Sequence, residues 1–279
     1  MPMHQNPFVV DHGNLLRLTI SHAAFGTMNG MQATNRFPHA RIFLIAGTRG
    51  REGGWIRNRT PGAAPERLAL LKDCVYFIPP HVDLEFSFLP GLRITGFHLA
   101  LEVFTGQSLF TGRERFQFRA GLGRIIREVN ALERELHTIG ALCRLRALIL
   151  YLAGLFAEQN PRELQRLLDL RETYRPLLER LERAPSARLT IADLAPAMGL
   201  SRDMLSKNFS RDIGVPLKTY LTNHLVRLAS ERLLMTSQKV KEIARELDFA
   251  NVYYFSRFFK KHTGCAPQHY RRLPRLAND

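Results

Sequence analysis

Only three cysteines, Cys74, Cys143 and Cys265, occur in 279 residues, and they lie far apart with no Cys-x-x-Cys pair. That excludes a disulfide framework and a thiolate zinc site, and makes a reducing compartment the default. Long apolar runs are missing too. The most hydrophobic stretch, around Ala147–Phe156, falls short of the roughly 20 residues a membrane-spanning helix needs. The opening Met1-Pro2-Met3-His4 shows no charged-then-apolar leader pattern, so the expectation is a soluble cytoplasmic protein with no membrane partner. Nucleophile elbow, P-loop and dinucleotide fingerprint are all absent; no enzyme activity and no cofactor are expected. Acidic residues are scarce: 25 Asp+Glu stand against 40 Lys+Arg, for a formal net charge of +15. The excess is densest late in the chain, where residues 180–279 hold 18 Lys+Arg against 9 Asp+Glu. A basic region of this density suits a polyanionic partner.

What is present changes character along the chain. Residues 8–118 hold short β-prone runs, Arg41–Ala46, Cys74–Ile78, Leu84–Leu89 and Ile94–Val103, separated by Gly and Pro punctuation such as Pro79-Pro80 and Pro90-Gly91. Many short strands with turn signals between them argue for an antiparallel sandwich or barrel. After Gly121, Leu122, Ile125, Ile126, Val129, Leu132 and Leu136 follow helical spacing. A second helix is read from about Ala141 to Gln159, and a third begins at Pro161. These helices are expected to pack on the barrel, to pair with another subunit, or both. From Arg171 onward the reading is helical throughout. The boundaries expected are 1–120, 121–170 and 171–279.

The last third contains one pattern twice. Leu194-Ala195, Gly199-Leu200-Ser201, Leu205, Phe209, Gly214, Pro216 and Tyr220 are answered by Ile243-Ala244, Asp248-Phe249, Asn251, Phe255, Phe259, Gly264, Pro267 and Tyr270. A short helix, a compact turn and a second helix whose anchors sit four apart describe a helix-turn-helix, whose second helix enters the DNA major groove. Thr190 with Asp193 gives a capping-box start, Ser201 caps the first recognition helix, and Pro196 is expected to weaken or kink the helix before it. A helix from Leu217 to Met235 would span roughly 28 Å at 1.5 Å per residue. One DNA turn is about 34 Å, so a single chain can set two recognition helices into successive grooves.

Residues 249–271, with Phe249, Tyr254-Phe255-Ser256-Arg257, Phe259-Lys260-Lys261, Gly264, Pro267 and Tyr270-Arg271, resemble the signature of the AraC/XylS family of bacterial transcription regulators. Leu225, Arg227, Ala229 and Leu233-Leu234 fit the family's connecting helix. Two departures stand out: the signature's turn glycine is Asp248, and Pro196 lies in the first motif. Cys74–His81 is similar to the Ile-Pro-Pro turn of the family's cupin-like effector domains. The resemblance implies an α+β chain: an N-terminal antiparallel β-barrel of cupin-like type with following helices, then an all-α domain of two helix-turn-helix motifs joined by a long helix. It also implies promoter DNA as partner, a small-molecule effector, a homodimer, and RNA polymerase if the protein activates.

Outward-facing residues of the recognition helices are the expected DNA contacts. In the first they are Arg202, Asp203, Ser206 and Lys207; in the second, Asn251, Val252, Tyr253, Ser256 and Arg257. Lys260 and Lys261 are expected on phosphates, which position without specifying sequence. Phe255, Phe258 and Phe259 are read as core. A barrel lumen would hold a ligand, with Arg36, Trp55, His81, Glu85 and His98 as possible lining residues. No His-x-His pair accompanies His81, Glu85 and His98, which weighs against a metal. Two other classes stay open: a catalytic cupin with a DNA-binding tail, and an architectural protein that coats DNA with little sequence choice.

Overall fold

The structure, a computed structural model, describes residues 16–62, 67–104, 107–110, 113–157 and 161–272. In chain order its strands are β1 (Arg17–Thr27), β2 (Met31–Arg36), β3 (Ala40–Gly47), β4 (Gly54–Asn58), β5 (Arg67–Ala69), β6 (Val75–Ile78), β7 (Asp83–Phe88), β8 (Arg93–Phe104), β9 (Gln107–Ser108) and β10 (Gln117–Arg119). They form two antiparallel sheets, one in the order β1-β8-β3-β6-β10 with β9 on β8, the other β2-β7-β4-β5. β7 alternates half-buried and buried residues, the period-2 mark of a strand with one face packed. β3 is buried almost throughout because both of its faces are covered. Phe43, Ile45, Tyr76 and Ile78 meet Ile56, Leu84, Phe86 and Phe88 of the second sheet. Their alternating neighbours Ile42, Leu44, Val75 and Phe77 face helices instead.

Those helices are α1 (Gly123–Leu132) and α2 (Ile139–Gly154). Ile126, Val129, Leu132, Leu145, Ile149 and Leu152 bury against the six-stranded sheet, so the expected linker segment begins as a third layer of the sheet domain. The helix read as Ala141–Gln159 runs from Ile139 to Gly154, with Thr138 as its N-cap. Residues 158 and 159, the far end of that reading, lie outside the described residues. α3 (Pro161–Thr173) and α4 (Arg175–Arg183) place Leu167, Tyr174, Leu177, Leu178 and Leu181 in the core of the first helical repeat.

The C-terminal helices are α5 (Ile191–Leu194), α6 (Arg202–Ile213), α7 (Leu217–Met235), α8 (Val240–Glu246), α9 (Val252–Thr263) and α10 (Pro267–Arg272). Their starts follow the sequence signals. Thr190 and Asp193 form the capping box, with the Thr190 N–H donating to Asp193 Oδ2 at 2.8 Å. Ser201 Oγ accepts from the Met204 N–H at 3.2 Å. Pro196 ends α5 early, and a 3-10 turn over Pro196–Met198 carries the chain to left-handed Gly199. The helix is shortened rather than kinked, because proline supplies no N–H to continue the ladder.

Candidate DNA interface and ligand cavity

The two helical repeats are built alike around their aromatic anchors. Leu205 and Phe209 of α6 and Phe255 and Phe259 of α9 are fully buried. Tyr220 crosses Phe209 edge-on at 4.9 Å between centroids, and Tyr270 crosses Phe259 at 5.0 Å. Both recognition helices close on a left-handed glycine, Gly214 at φ 83° and Gly264 at φ 82°. The signature glycine replaced by Asp248 keeps its left-handed turn at φ 55°. A short polar side chain tolerates that region better than most. Its carboxylate also accepts from Ser186 Oγ at 2.6 Å and meets Arg188 at 3.3 Å. The departure thus carries its own support, a tie between the second turn and the segment before the first.

With the anchors facing in, the opposite faces are free. Arg202, Asp203 and Lys207 are exposed and Ser206 half-exposed on α6. On α9, Tyr253, Arg257, Lys260 and Lys261 are exposed, and Val252 and Ser256 half-exposed. Asn251 spends its side chain as the N-cap, accepting from the Tyr254 N–H at 2.8 Å. Phe258 is half-buried against Phe249 and His262. Two further outward residues emerge, Met204 at 54% and Tyr254 at 56% exposure. Large apolar groups left in water off the i, i+4 anchor stripe were the signal that could have found them.

The sheets frame a half-open cavity of about 140 Å³ at the end where β1 and β2 meet. Phe25, Met28, Met31, Phe43, Phe86, Phe88 and Ile94 supply most of its wall, and Leu234 and Tyr270 of the helical domain complete it. Of the five lining residues expected from sequence, His98 is in this cavity. Arg36 and His81 line a separate cleft between the sheets and α7. Trp55 and Glu85 point away on the outer face: Trp55 alternates with buried Ile56 and stacks under Arg57 and Arg67, and Glu85 pairs with Arg57 at 3.0 Å. A single step in a period-2 strand decides which face a residue takes.

The cavity's chemistry comes from Arg41, which the sequence reading missed inside an apolar run. It is 1% exposed and has no carboxylate within ion-pair distance among the described residues. Asn35 Oδ1 accepts from Nη1, the Val82 carbonyl lies 3.5 Å from Nη2, and the Phe37 ring lies 5.2 Å from the guanidinium carbon. Nε has no partner. Burial pulls its pKa from the ordinary 12.5 down to about 9.

The domains are joined at a seam. Arg227 of α7 meets Glu102 of β8 at 3.2 Å and Glu231 at 2.7 Å, all three largely buried, and Phe37 packs on Tyr270 at 5.2 Å. Among the described residues no helix is long and apolar enough to cross a membrane, and no group of three metal-ligating side chains converges.

Residues 194–273 match the family described as helix-turn-helix domain. A Streptomyces lividans protein designated an AraC-like transcription regulator is 30% identical over 96 residues, which are 34% of this chain and 32% of that protein. The chain carries an AraC-type helix-turn-helix domain. The Lactose operon transcription activator of Staphylococcus xylosus is 31% identical over 83 residues, 30% of either chain. These matches therefore span about a third of the relatives' own length. The whole fold is shared with a solved structure, unsaturated fatty acid bound wild-type ToxT from Vibrio cholerae. That likeness covers 92% of this chain and 95% of the other at 15% identity, with a TM-score of 0.54.

Proposed function

We propose that the protein is a cytoplasmic, ligand-responsive transcription regulator. Its cupin-like sheet domain, residues 1–120, senses a small molecule, residues 121–170 carry the dimer helix, and residues 171–279 bind promoter DNA. The observation that carries this reading is the shared cavity wall: Leu234 and Tyr270 belong to the DNA-binding domain and close a pocket made by the sensor. A ligand there changes the docking of the two domains, and a docking change alters how the recognition helices meet DNA. An apolar wall around an unneutralised guanidinium selects an apolar carboxylate as effector. A cavity of about 150 Å³ is known to accept benzene, so a body of that size fits. The solved relative binds an unsaturated fatty acid, which supports the same ligand chemistry here.

Base readers are Arg202, Asp203, Ser206 and Lys207 in the first helix and Val252, Tyr253, Ser256 and Arg257 in the second. Lys260 and Lys261 hold phosphate, and Asn251 sets the start of α9. The exposed stripe Ile139, Leu142, Leu150 and Tyr151 on α2 supports a homodimer through that helix. RNA polymerase is the further partner if the protein activates, as the S. xylosus relative's name says of that protein. Selection from a random DNA library, with and without octanoate, tests the reading. Two short motifs about one turn apart, with occupancy changed by octanoate, are expected. A pool without any enriched motif under either condition overturns it in favour of an architectural role.

A further inference from the structure

The seam between the sensor and the DNA-binding domain is unusually rich in imidazoles. His39 and His81 come from the sensor, His224 from α7 and His262 from α9. His39 lies in the turn between β2 and β3, is fully buried, and neither ring nitrogen has a hydrogen-bond partner among the described residues. The titratable and charged groups facing it are Arg41 of β3, His98 of β8 and Arg227 of α7, together with His81. His81, held left-handed at φ 62°, faces Arg36 of β2 and His262 of α9. His224 faces Arg227 and Arg232 on its own helix, with Nδ1 3.4 Å from Arg227 Nη2, and is hydrogen-bonded to the Leu181 backbone of α4, so its surroundings belong to the helical domain. Carboxylates in the seam are already engaged: Arg227 holds Glu102 and Glu231, and Asp83 meets Arg36 at 3.7 Å.

We propose that this seam is a proton-sensitive latch: protons taken up by His39 and His81 release the DNA-binding domain from the sensor. A proton placed on His39 or His81 adds a cation beside guanidinium groups, and the seam carboxylates Glu102, Glu231 and Asp83 among the described residues already face arginines. The apposition of cations across the seam then favours separation, where water solvates each imidazolium. Burial and the neighbouring arginines pull His39 down to about 3 and His81 to about 4. Released into water each returns to about 6.5. The undocked state therefore binds more protons, so docking is full above pH 6.5 and weakens as pH falls below it. Between pH 7.5 and 5.5 the docking equilibrium falls about tenfold for each imidazole released. The consequence for DNA rests on the regulator reading above; the docking change does not.

Hydrogen exchange of the full-length chain, corrected for the intrinsic pH dependence of exchange, measures seam opening at pH 7.5 and 5.5. The segments read are 37–41 and α7, with β6 as an internal reference. Opening of the seam is expected to rise at least tenfold at pH 5.5 while β6 holds. His39→Leu, and separately His81→Asn, which keeps a residue suited to the left-handed turn, should each remove about one tenfold step. Equal opening at the two pH values, or an unchanged pH response in both variants, overturns the latch. DNA selection at pH 7.5 is independent of that result, so failure of the latch and failure of the regulator reading are distinguishable.

Discussion

Replacing Arg41 with methionine should stabilise the protein and abolish its preference for carboxylate ligands together. The guanidinium is buried with its pKa drawn from 12.5 to about 9. At 1.36 kcal/mol per unit that sets a ceiling of about 5 kcal/mol on the cost of keeping the charge there. Hydrogen bonds from Arg41 to Asn35 and Val82 and the Phe37 ring return part of it. A flexible apolar side chain of similar reach fills the space without a charge. The net expectation is a gain of about 1–3 kcal/mol in unfolding free energy without ligand. Urea denaturation followed by circular dichroism reads the first half. Calorimetry with octanoate, benzoate and 1-octanol reads the second. Wild type should prefer each acid over the alcohol by at least tenfold, and the variant should lose that preference. A loss of 2 kcal/mol or more in the unliganded variant refutes the reasoning, because Arg41 would then be a structural tie.

Substitutions at four other residues have equally definite expected outcomes. Phe259→Ala empties a fully buried site at the centre of the second repeat and should cost about 3–5 kcal/mol, seen as lower urea resistance of α9. Asp248→Ala removes the ties to Ser186 and Arg188 and puts a less tolerant residue at φ 55°. It should cost about 1–2 kcal/mol by the same assay, and Asp248→Gly less. Arg257→Ala should weaken binding to the selected site by about 1–3 kcal/mol and leave random DNA little changed. Lys260→Ala should instead weaken both and flatten the salt slope by about one.

The helical third was legible because its signals are local. Caps at Thr190 and Ser201, left-handed glycines and anchors four residues apart each state their own structure, and α7 runs from Leu217 to Met235 as read. The sheets were legible as a class but less so strand by strand. β1 and β2 carry few unbroken apolar residues, since one face of each is half-exposed. The cavity was the least legible element. Arg41 sits in an apolar strand whose two faces are both covered, and only the three-dimensional packing shows that its face turns inward. Trp55 and Glu85, attractive as ligand residues by type, fall one step out of phase with Ile56 and Phe86, and that single step sends them outside. The seam joins residues 37–41 to 220–270, a separation that no local pattern encodes.

The most direct test of the central claim is fluorescence anisotropy of the full-length protein at about 150 mM salt, on the selected duplex and on a scrambled one of equal length. A ligand-gated, sequence-specific regulator shows a specificity ratio of at least about 10³, shifted by octanoate in wild type and unmoved by it in Arg41→Met. A ratio near one, with or without octanoate, contradicts the regulator reading.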